Sequence, residues 1–133
     1  MPEGLLSFLE SLKSNRISIA LATSAPRENI DFVFDNLHIG HFFDAVVDES
    51  QVSRGKPDPE VYLKAAEALE LNPEQCIVVE DSIPGIMAGA AAGMAVVAIT
   101  TTHGRDEFKH ADLVIDTFKE LDIERLIPII KEG

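Results

Sequence analysis

Apolar positions along this chain alternate between helical spacing and short β-branched runs, the pattern of stacked strand and helix units. Leu5, Phe8, Leu9 and Leu12 fall at i, i+3, i+4 and i+7, which predicts a first helix over roughly Glu3 to Ser14. The apolar run Ile17–Ala22 is too short for a helix and rich enough in isoleucine for a buried strand. A second helix is expected over Arg27–Leu37, beginning beside Pro26, burying Ile30, Val33, Phe34 and Leu37 on one stripe, and ending near Gly40. Ala45–Val47 reads as a short strand. Asp58 and Pro59 form a cap and first-turn pair for a helix to about Leu69, and Cys76–Val79 as a third strand follows. Gly93 closes the next helix, Ala95–Ile99 and Leu113–Ile115 supply two more strands, and the tail Asp116–Lys131 reads as helical with a break at Pro128. Strand, helix, strand order makes right-handed crossovers and a parallel sheet the expectation.

Length and composition narrow this picture. With 133 residues and 46% hydrophobic content the chain is the size of one domain, long enough for a core and too short for two. A formal charge of −12 argues against nucleic acid and anionic membrane as partners, since a polyanion would be repelled over most of the surface. The one cysteine, Cys76, starts an apolar run, so no internal disulfide can form and a reducing, cytoplasmic location fits. The longest apolar stretch, Ile83 to Thr100, is broken by Gly85, Gly89 and Gly93, so it reads as helix, turn and strand, and neither a transmembrane span nor a signal peptide is expected.

In open α/β sheets ligands bind off the carboxyl ends of the strands. The first four expected strands end in Thr23-Ser24, Asp48-Glu49, Glu80-Asp81-Ser82 and Thr100-Thr101-Thr102, and the loop after the second carries Lys56. Hydroxyls, an ammonium and an acidic pair would thus converge on one edge, a set suited to phosphoryl transfer. Adjacent carboxylates where a buried strand emerges are costly without a counter-ion, and magnesium, which takes one or two protein carboxylates with water and phosphate, would resolve that. The plainer reading is that Asp81 or Ser82 caps the helix beginning near Pro84. Thr23 precedes a helix N-terminus, where backbone N–H groups favour a phosphate oxygen, although Thr-Ser before a helix is also an ordinary cap. Lys56 sits in Arg54-Gly55-Lys56-Pro57-Asp58-Pro59, where two prolines stiffen the backbone; a fixed ammonium would offset charge gathered during transfer, and a simple turn lysine is the alternative. His38 and His41 lack further ligands at zinc spacing, His103 and His110 read as solvated surface residues, and Gly85, Gly89 and Gly93 form no dinucleotide fingerprint, so close helix packing explains them.

Ile-Ala-Leu-Ala-Thr23-Ser, Gly-Lys56-Pro-Asp-Pro-Glu-Val-Tyr and Val-Val-Glu80-Asp81-Ser-Ile-Pro-Gly-Ile resemble, in order and spacing, motifs two, three and four of haloacid dehalogenase-type hydrolases. The resemblance runs from about Gly4 to Leu121, takes in Ala90-Ala91-Ala92-Gly93-Met94 and Ala111-Asp112-Leu113-Val114-Ile115-Asp116, and points to the β-phosphoglucomutase-like branch. It implies an α/β fold with a Rossmann-like parallel sheet and flanking helices. It implies that Thr23, with Ser24, binds the transferring phosphoryl group of a small phosphorylated substrate such as a sugar phosphate, that Lys56 bridges that group to the nucleophile, and that Glu80 and Asp81 help hold Mg2+. Dehalogenase-type members work without the metal and do not usually show the Glu-Asp pair, which favours phosphoryl transfer over carbon–halogen cleavage.

One departure is large. The family's first motif, an aspartate nucleophile with a second aspartate two residues on, has no match before Ile17, and the helical cap between the first two motifs is missing too. Residues 1–133 therefore read as the carboxyl-terminal part of such a core domain, an incomplete sheet lacking its central nucleophile strand, which would lie between the strand ending at Ala22 and that ending at Val79. The chain alone is expected to be inactive, with the missing amino-terminal segment of the same protein as its partner. Two readings compete: a non-catalytic phosphate- and metal-binding module that has lost its nucleophile, and a receiver-type signalling domain, whose acidic pair and lysine would come in a different order.

Overall fold

The computed structural model describes residues 4–23, 25–100, 108 and 111–130. Helix α1 (Leu5–Ser14) leads to strand β1 (Ala20–Ala22), helix α2 (Arg27–Leu37), strand β2 (Ala45–Val47), helix α3 (Glu60–Ala68), strand β3 (Ile77–Glu80), helix α4 (Ile83–Ala91) and strands β4 (Ala95–Ile99) and β5 (Leu113–Ile115), with one-turn helix α5 (Ile123–Leu126) in the tail. All strand pairs are parallel: β1 with β2, and β3 with β4 and β4 with β5.

The period-two alternation of β4 divides the core into two layers. Val96 and Ala98 face a cluster built on α3 and α4, with Val61, Tyr62, Ala65, Ile86 and Ala88. Val97 and Ile99 face the opposite cluster, with Phe8, Leu9 and Leu12 of α1, Ile115, and Leu121 and Leu126 of the tail. All five residues of β4 are buried, as a strand covered on both faces requires.

The strands form two separate sheets, not one. Among the described residues β1 pairs only with β2 and β3 only with β4, so each presents an inner edge to the other. Between them lies a cavity of about 330 Å³, walled by Ala20, Leu21 and Ala22 on one side and by Ile77, Val78 and Val79 on the other, with α3 beneath. An extended segment between the strand ends at Ala22 and Val79 was the expected occupant of this position.

Several elements depart from the periodicity. β1 begins at Ala20, not Ile17, because Ile19 is met by Asp44: Asp44 N–H donates to the Ile19 carbonyl at 2.6 Å, and the Asp44 carboxylate accepts Ile19 N–H at 2.7 Å. α3 begins one residue later than the Asp58-Pro59 pair suggests, with Pro59 at its N-cap and no side-chain cap; the Asp58 carboxylate accepts Glu60 N–H at 3.0 Å instead. Val33 of α2 is exposed while Ile30 is buried, since α2 flanks the smaller sheet and only part of its stripe is covered. The tail is not one helix. Thr117 and Glu120 close a 3-10 turn at Phe118–Glu120, Asp122 caps α5 through Arg125 N–H, and Pro128 sits in a final 3-10 turn, Ile127–Ile129. Gly93 ends α4 for a conformational reason, its φ of 84° being a left-handed value that a side chain resists.

Strand β4 is bonded on both edges while β1 and β3 are bonded on one, so local opening should differ sharply. Amide hydrogen exchange is expected to be on the order of tenfold or more slower at Val97 and Ala98 than at Leu21 and Ala22. Equal protection would show that the inner edges are covered in solution.

Candidate functional site

The carboxyl ends of β1 and β3 deliver the site. Thr23 follows β1 directly; its N–H donates to the Val47 carbonyl at 3.0 Å, continuing the ladder, and its hydroxyl accepts Ala25 N–H at 3.1 Å, turning the chain toward α2. Thr23 lines the cavity between the sheets together with Lys56, Tyr62 and Glu80.

Lys56 is largely buried, its side chain 17% exposed, and its ammonium donates to Glu80 Oε2 at 2.9 Å and reaches the Ala22 carbonyl at 3.5 Å. It also stands 5.1 Å from the centre of the Tyr62 ring, within cation–π range. This is no solvent-facing turn lysine.

Glu80 is the most heavily bonded side chain of the site. Its Oε2 accepts from Lys56 and from the Tyr62 hydroxyl at 2.6 Å, while Oε1 accepts from Asp81 N–H, Ser82 N–H and the Ser82 hydroxyl at 3.0, 3.2 and 3.2 Å. Burial pushes its carboxyl up, but the bonds from Tyr62 and Lys56 and the Lys56 charge outweigh this and hold it at about 2. The side chain folds back over Gly85, where a Cβ would lie 2.0 Å from Oε2, so position 85 admits only glycine while this carboxylate stays in place. Packing against the acid, more than against a helix, explains that residue.

The cap on α4 is Ser82, whose hydroxyl accepts Gly85 N–H at 3.1 Å. Asp81 is half-buried and does not serve as that cap.

The structure therefore unites Thr23, Lys56 and Glu80 around one cavity with Asp81 next in the chain, whereas Ser24, Thr101, Thr102, His103 and His110 lie outside the described residues. Asp48 does not join them. It is buried at the end of β2, where its carboxylate accepts Arg27 Nε–H at 2.8 Å and the N–H and hydroxyl of Ser50 at 2.8 and 2.5 Å, a structural clamp between β2 and the start of α2. His38 takes the left-handed C-cap of α2 and His41 stacks on Phe42, and no group of three or more metal-binding side chains occurs among the described residues. Tyr62 is the site residue that sequence reasoning missed. It lay inside the lysine motif with no role attached, yet it is the only tyrosine of the chain, and helical position Tyr62 faces the core, where a phenol hydroxyl must find a partner. Burial, then the charge and hydrogen bond of Glu80, push its ionisation far above the ordinary range.

Comparison with known proteins identifies the family of the chain. Residues 2–93 match the haloacid dehalogenase-like hydrolase family. Validoxylamine A 7'-phosphate phosphatase of Streptomyces hygroscopicus subsp. limoneus is 35% identical over 119 residues, covering 90% of this chain and 56% of that protein. β-Phosphoglucomutase of Bacillus subtilis is 36% identical over 130 residues, covering 94% of this chain and 55% of the relative. A crystal structure of a HAD hydrolase, family IA, variant 3, from Entamoeba histolytica superposes with a TM-score of 0.91 at 32% identity, over 98% of this chain and 61% of the other. The chain thus spans little more than half the length of these relatives.

Because Glu80 is held below its ordinary value of 4.5, its contribution to stability is present at neutral pH and fades as pH falls from about 4.5 toward about 2. In metal-free buffer Glu80→Gln should cost on the order of 2 kcal/mol at pH 7, and urea unfolding should show the gap to the parent chain closing below pH 4. A gap independent of pH would mean that the glutamate is not held as an anion.

Proposed function

Since this chain belongs to the haloacid dehalogenase-like hydrolases, in their β-phosphoglucomutase-like branch, we propose that it supplies the phosphate-positioning and metal-holding half of a magnesium-dependent phosphoryl-transfer enzyme acting on a small phosphorylated metabolite, with sugar phosphates as the substrate class. The observation that carries this reading is the Lys56–Glu80 pair at 2.9 Å, facing the cavity that Thr23 also lines. The two relatives are by name a sugar-phosphate mutase and the phosphatase of a phosphorylated metabolite, which supports the reaction class for either outcome, hydrolysis or mutase transfer.

The residues present fit a magnesium ion. Glu80 Oε2 is matched by the Lys56 charge, while Oε1 receives only neutral donors and Asp81 adds a second carboxylate one residue on. Lys56 is the only cation among the described residues lining the cavity. Glu80 and Asp81 would hold the ion through two carboxylates, leaving its remaining positions to water and phosphate, where it would neutralise charge on the phosphoryl oxygens. Lys56 keeps an ammonium aimed into the cavity and stabilises charge as it gathers during transfer; Thr23, with Ser24 beside it, orients the phosphoryl group at the turn into α2.

A nucleophile is the remaining requirement, and the polar side chains lining the cavity are already engaged: the Tyr62 hydroxyl and the Lys56 ammonium donate to Glu80, the Glu80 carboxylate takes five donors, the Thr23 hydroxyl accepts Ala25 N–H, and burial pushes the Cys76 thiol up. The gap between β1 and β3 suits an added parallel strand, which would gain backbone hydrogen bonds on both edges and bury the apolar walls. We assign the nucleophile to such a strand from an amino-terminal segment of the same protein, and the assembled enzyme to the cytoplasm. No helix among the described residues is long and apolar enough to cross a membrane.

The 133-residue chain alone should show no magnesium-dependent hydrolysis of sugar phosphates or an aryl phosphate. Mixing it with a segment bearing Asp-x-Asp at the end of an apolar strand should raise the melting temperature and switch on hydrolysis together. In that complex Lys56→Ala should lower kcat by on the order of a hundredfold or more, a larger loss than the fall in melting temperature from leaving Glu80 without its cation accounts for, and Asp81→Asn should weaken magnesium binding by calorimetry. Turnover by the purified chain alone, or full activity in Lys56→Ala, would overturn the proposal; binding of phosphate and magnesium with no turnover in any complex would favour the non-catalytic module.

A further inference from the structure

Tyr62 has been assigned no part in the reaction, yet it touches both members of the Lys56–Glu80 pair. Its hydroxyl donates to Glu80 Oε2 at 2.6 Å, the same oxygen takes the Lys56 ammonium at 2.9 Å, and the ammonium lies 5.1 Å from the Tyr62 ring centre. One oxygen is therefore shared between a neutral and a charged donor, and the charged donor is flanked by the π-face of the neutral donor's own ring.

We propose that Tyr62 is a positioning residue for phosphoryl transfer, sharing Glu80 Oε2 with Lys56 so that the ammonium is held in place without collapsing onto the carboxylate. This rests on the reading of Lys56 as the phosphate-facing cation. An ammonium has three donors. One goes to Glu80 and a second reaches the Ala22 carbonyl at the long distance of 3.5 Å, which leaves the cation weakly held on the β1 side. With Lys56 as sole partner of Oε2, the pair would tighten in this low-dielectric setting, and the ammonium would be drawn toward β3 and away from an anion in the cavity. The Tyr62 hydroxyl takes up part of the oxygen's acceptor capacity and weakens that pull. The ring meanwhile gives the ammonium a second attractive surface that does not compete for its protons. The carboxylate lies against Gly85, whose missing side chain leaves the room it occupies beside α4.

The consequence has a sign that simple packing does not share. Tyr62→Phe keeps the ring and removes the hydroxyl, so Lys56 should become more tightly fixed and bind anions less well. Tyr62→Leu removes both, so Lys56 also loses the ring surface and should be less ordered than in Tyr62→Phe. If Tyr62 only filled the core, both variants would loosen Lys56 in step with lost stability.

The test uses the 133-residue chain and its two variants, with inorganic phosphate as the probe. Phosphate affinity is read by calorimetry with and without magnesium, Lys56 ammonium order by ¹⁵N relaxation, and folding by the melting temperature. Tyr62→Phe is expected to weaken phosphate binding about three- to tenfold, the worth of one hydrogen bond, with Lys56 order equal or higher than in the parent; in Tyr62→Leu, Lys56 order should fall below that in Tyr62→Phe. Unchanged phosphate affinity in Tyr62→Phe, or a fall in Lys56 order there that tracks melting temperature, overturns the proposal. If the parent chain binds no phosphate, the phosphate-facing reading of Lys56 fails by itself, and the Tyr62 assignment is then decided by order alone: a rise in Tyr62→Phe supports the shared-oxygen arrangement, and no change ends it.

Discussion

The ammonium of Lys56 is the contact on which the rest of the site depends, because it links the two sheets. It touches the carbonyl of Ala22 at the end of β1 and the carboxylate of Glu80 at the end of β3, two strands that share no backbone hydrogen bond. Burying such a pair is costly, and attraction alone does not recover the desolvation of both charges. What makes the arrangement tolerable is the number of donors around Glu80, five in all across its two oxygens, together with the tight approach over Gly85. Remove any one partner and a charge is left buried with less to hold it. The polar constellation is thus a hydrogen-bonded bridge across a gap whose strand walls are apolar, and such buried fixed charges are common where a site carries chemistry.

The same economy appears at the starts of two strands, where one aspartate does the work of a neighbouring strand residue. Asp44, just before β2, gives its N–H to the Ile19 carbonyl and takes Ile19 N–H on its carboxylate. Asp112, just before β5, does the same with Val96, both bonds at 2.8 Å. Each sets the register of a short parallel strand from its first residue, which three-residue strands such as β2 and β5 require because they have little ladder of their own. Lys13 of α1 pairs with Asp44 and hydrogen bonding to it holds that carboxyl below the ordinary range, tying the first helix to the edge it covers.

Much of this was legible in the residues. α2, β2, β4 and β5 fall within the limits that periodicity and breakers predict, because each is a compact apolar run with a clear stop. The parallel arrangement and the meeting of Thr23, Lys56 and Glu80 follow from strand order and the rule that loops at carboxyl ends hold the chemistry, while the unpaired edges of β1 and β3 were implied by the family resemblance and its missing central strand. What escaped depends on tertiary neighbours. Val33 shares a helical stripe with Ile30, but only a covering surface decides which is buried. The tail broke at Thr117 and Asp122 because caps competed with apolar periodicity and prevailed. Asp48 looked like a site carboxylate by its place after β2, and only the position of Arg27 shows that it is a clamp.

Tyr62 was the hardest residue to read, since its spacing on α3 says core and its chemistry says site, and both are right. Its ring packs with Val61 and Ala65 in the layer beneath β3 while its hydroxyl emerges at Glu80. A phenylalanine would satisfy the packing equally, so the hydroxyl is the informative part: a buried donor needs an acceptor, and the nearest is the carboxylate that also holds the lysine. Glu80 accordingly belongs to both systems, completing the buried polar network on its Oε2 side and facing the loop before α4 on its Oε1 side, where only neutral donors and Asp81 stand. The two oxygens of one side chain thus separate a charged partner from purely neutral ones.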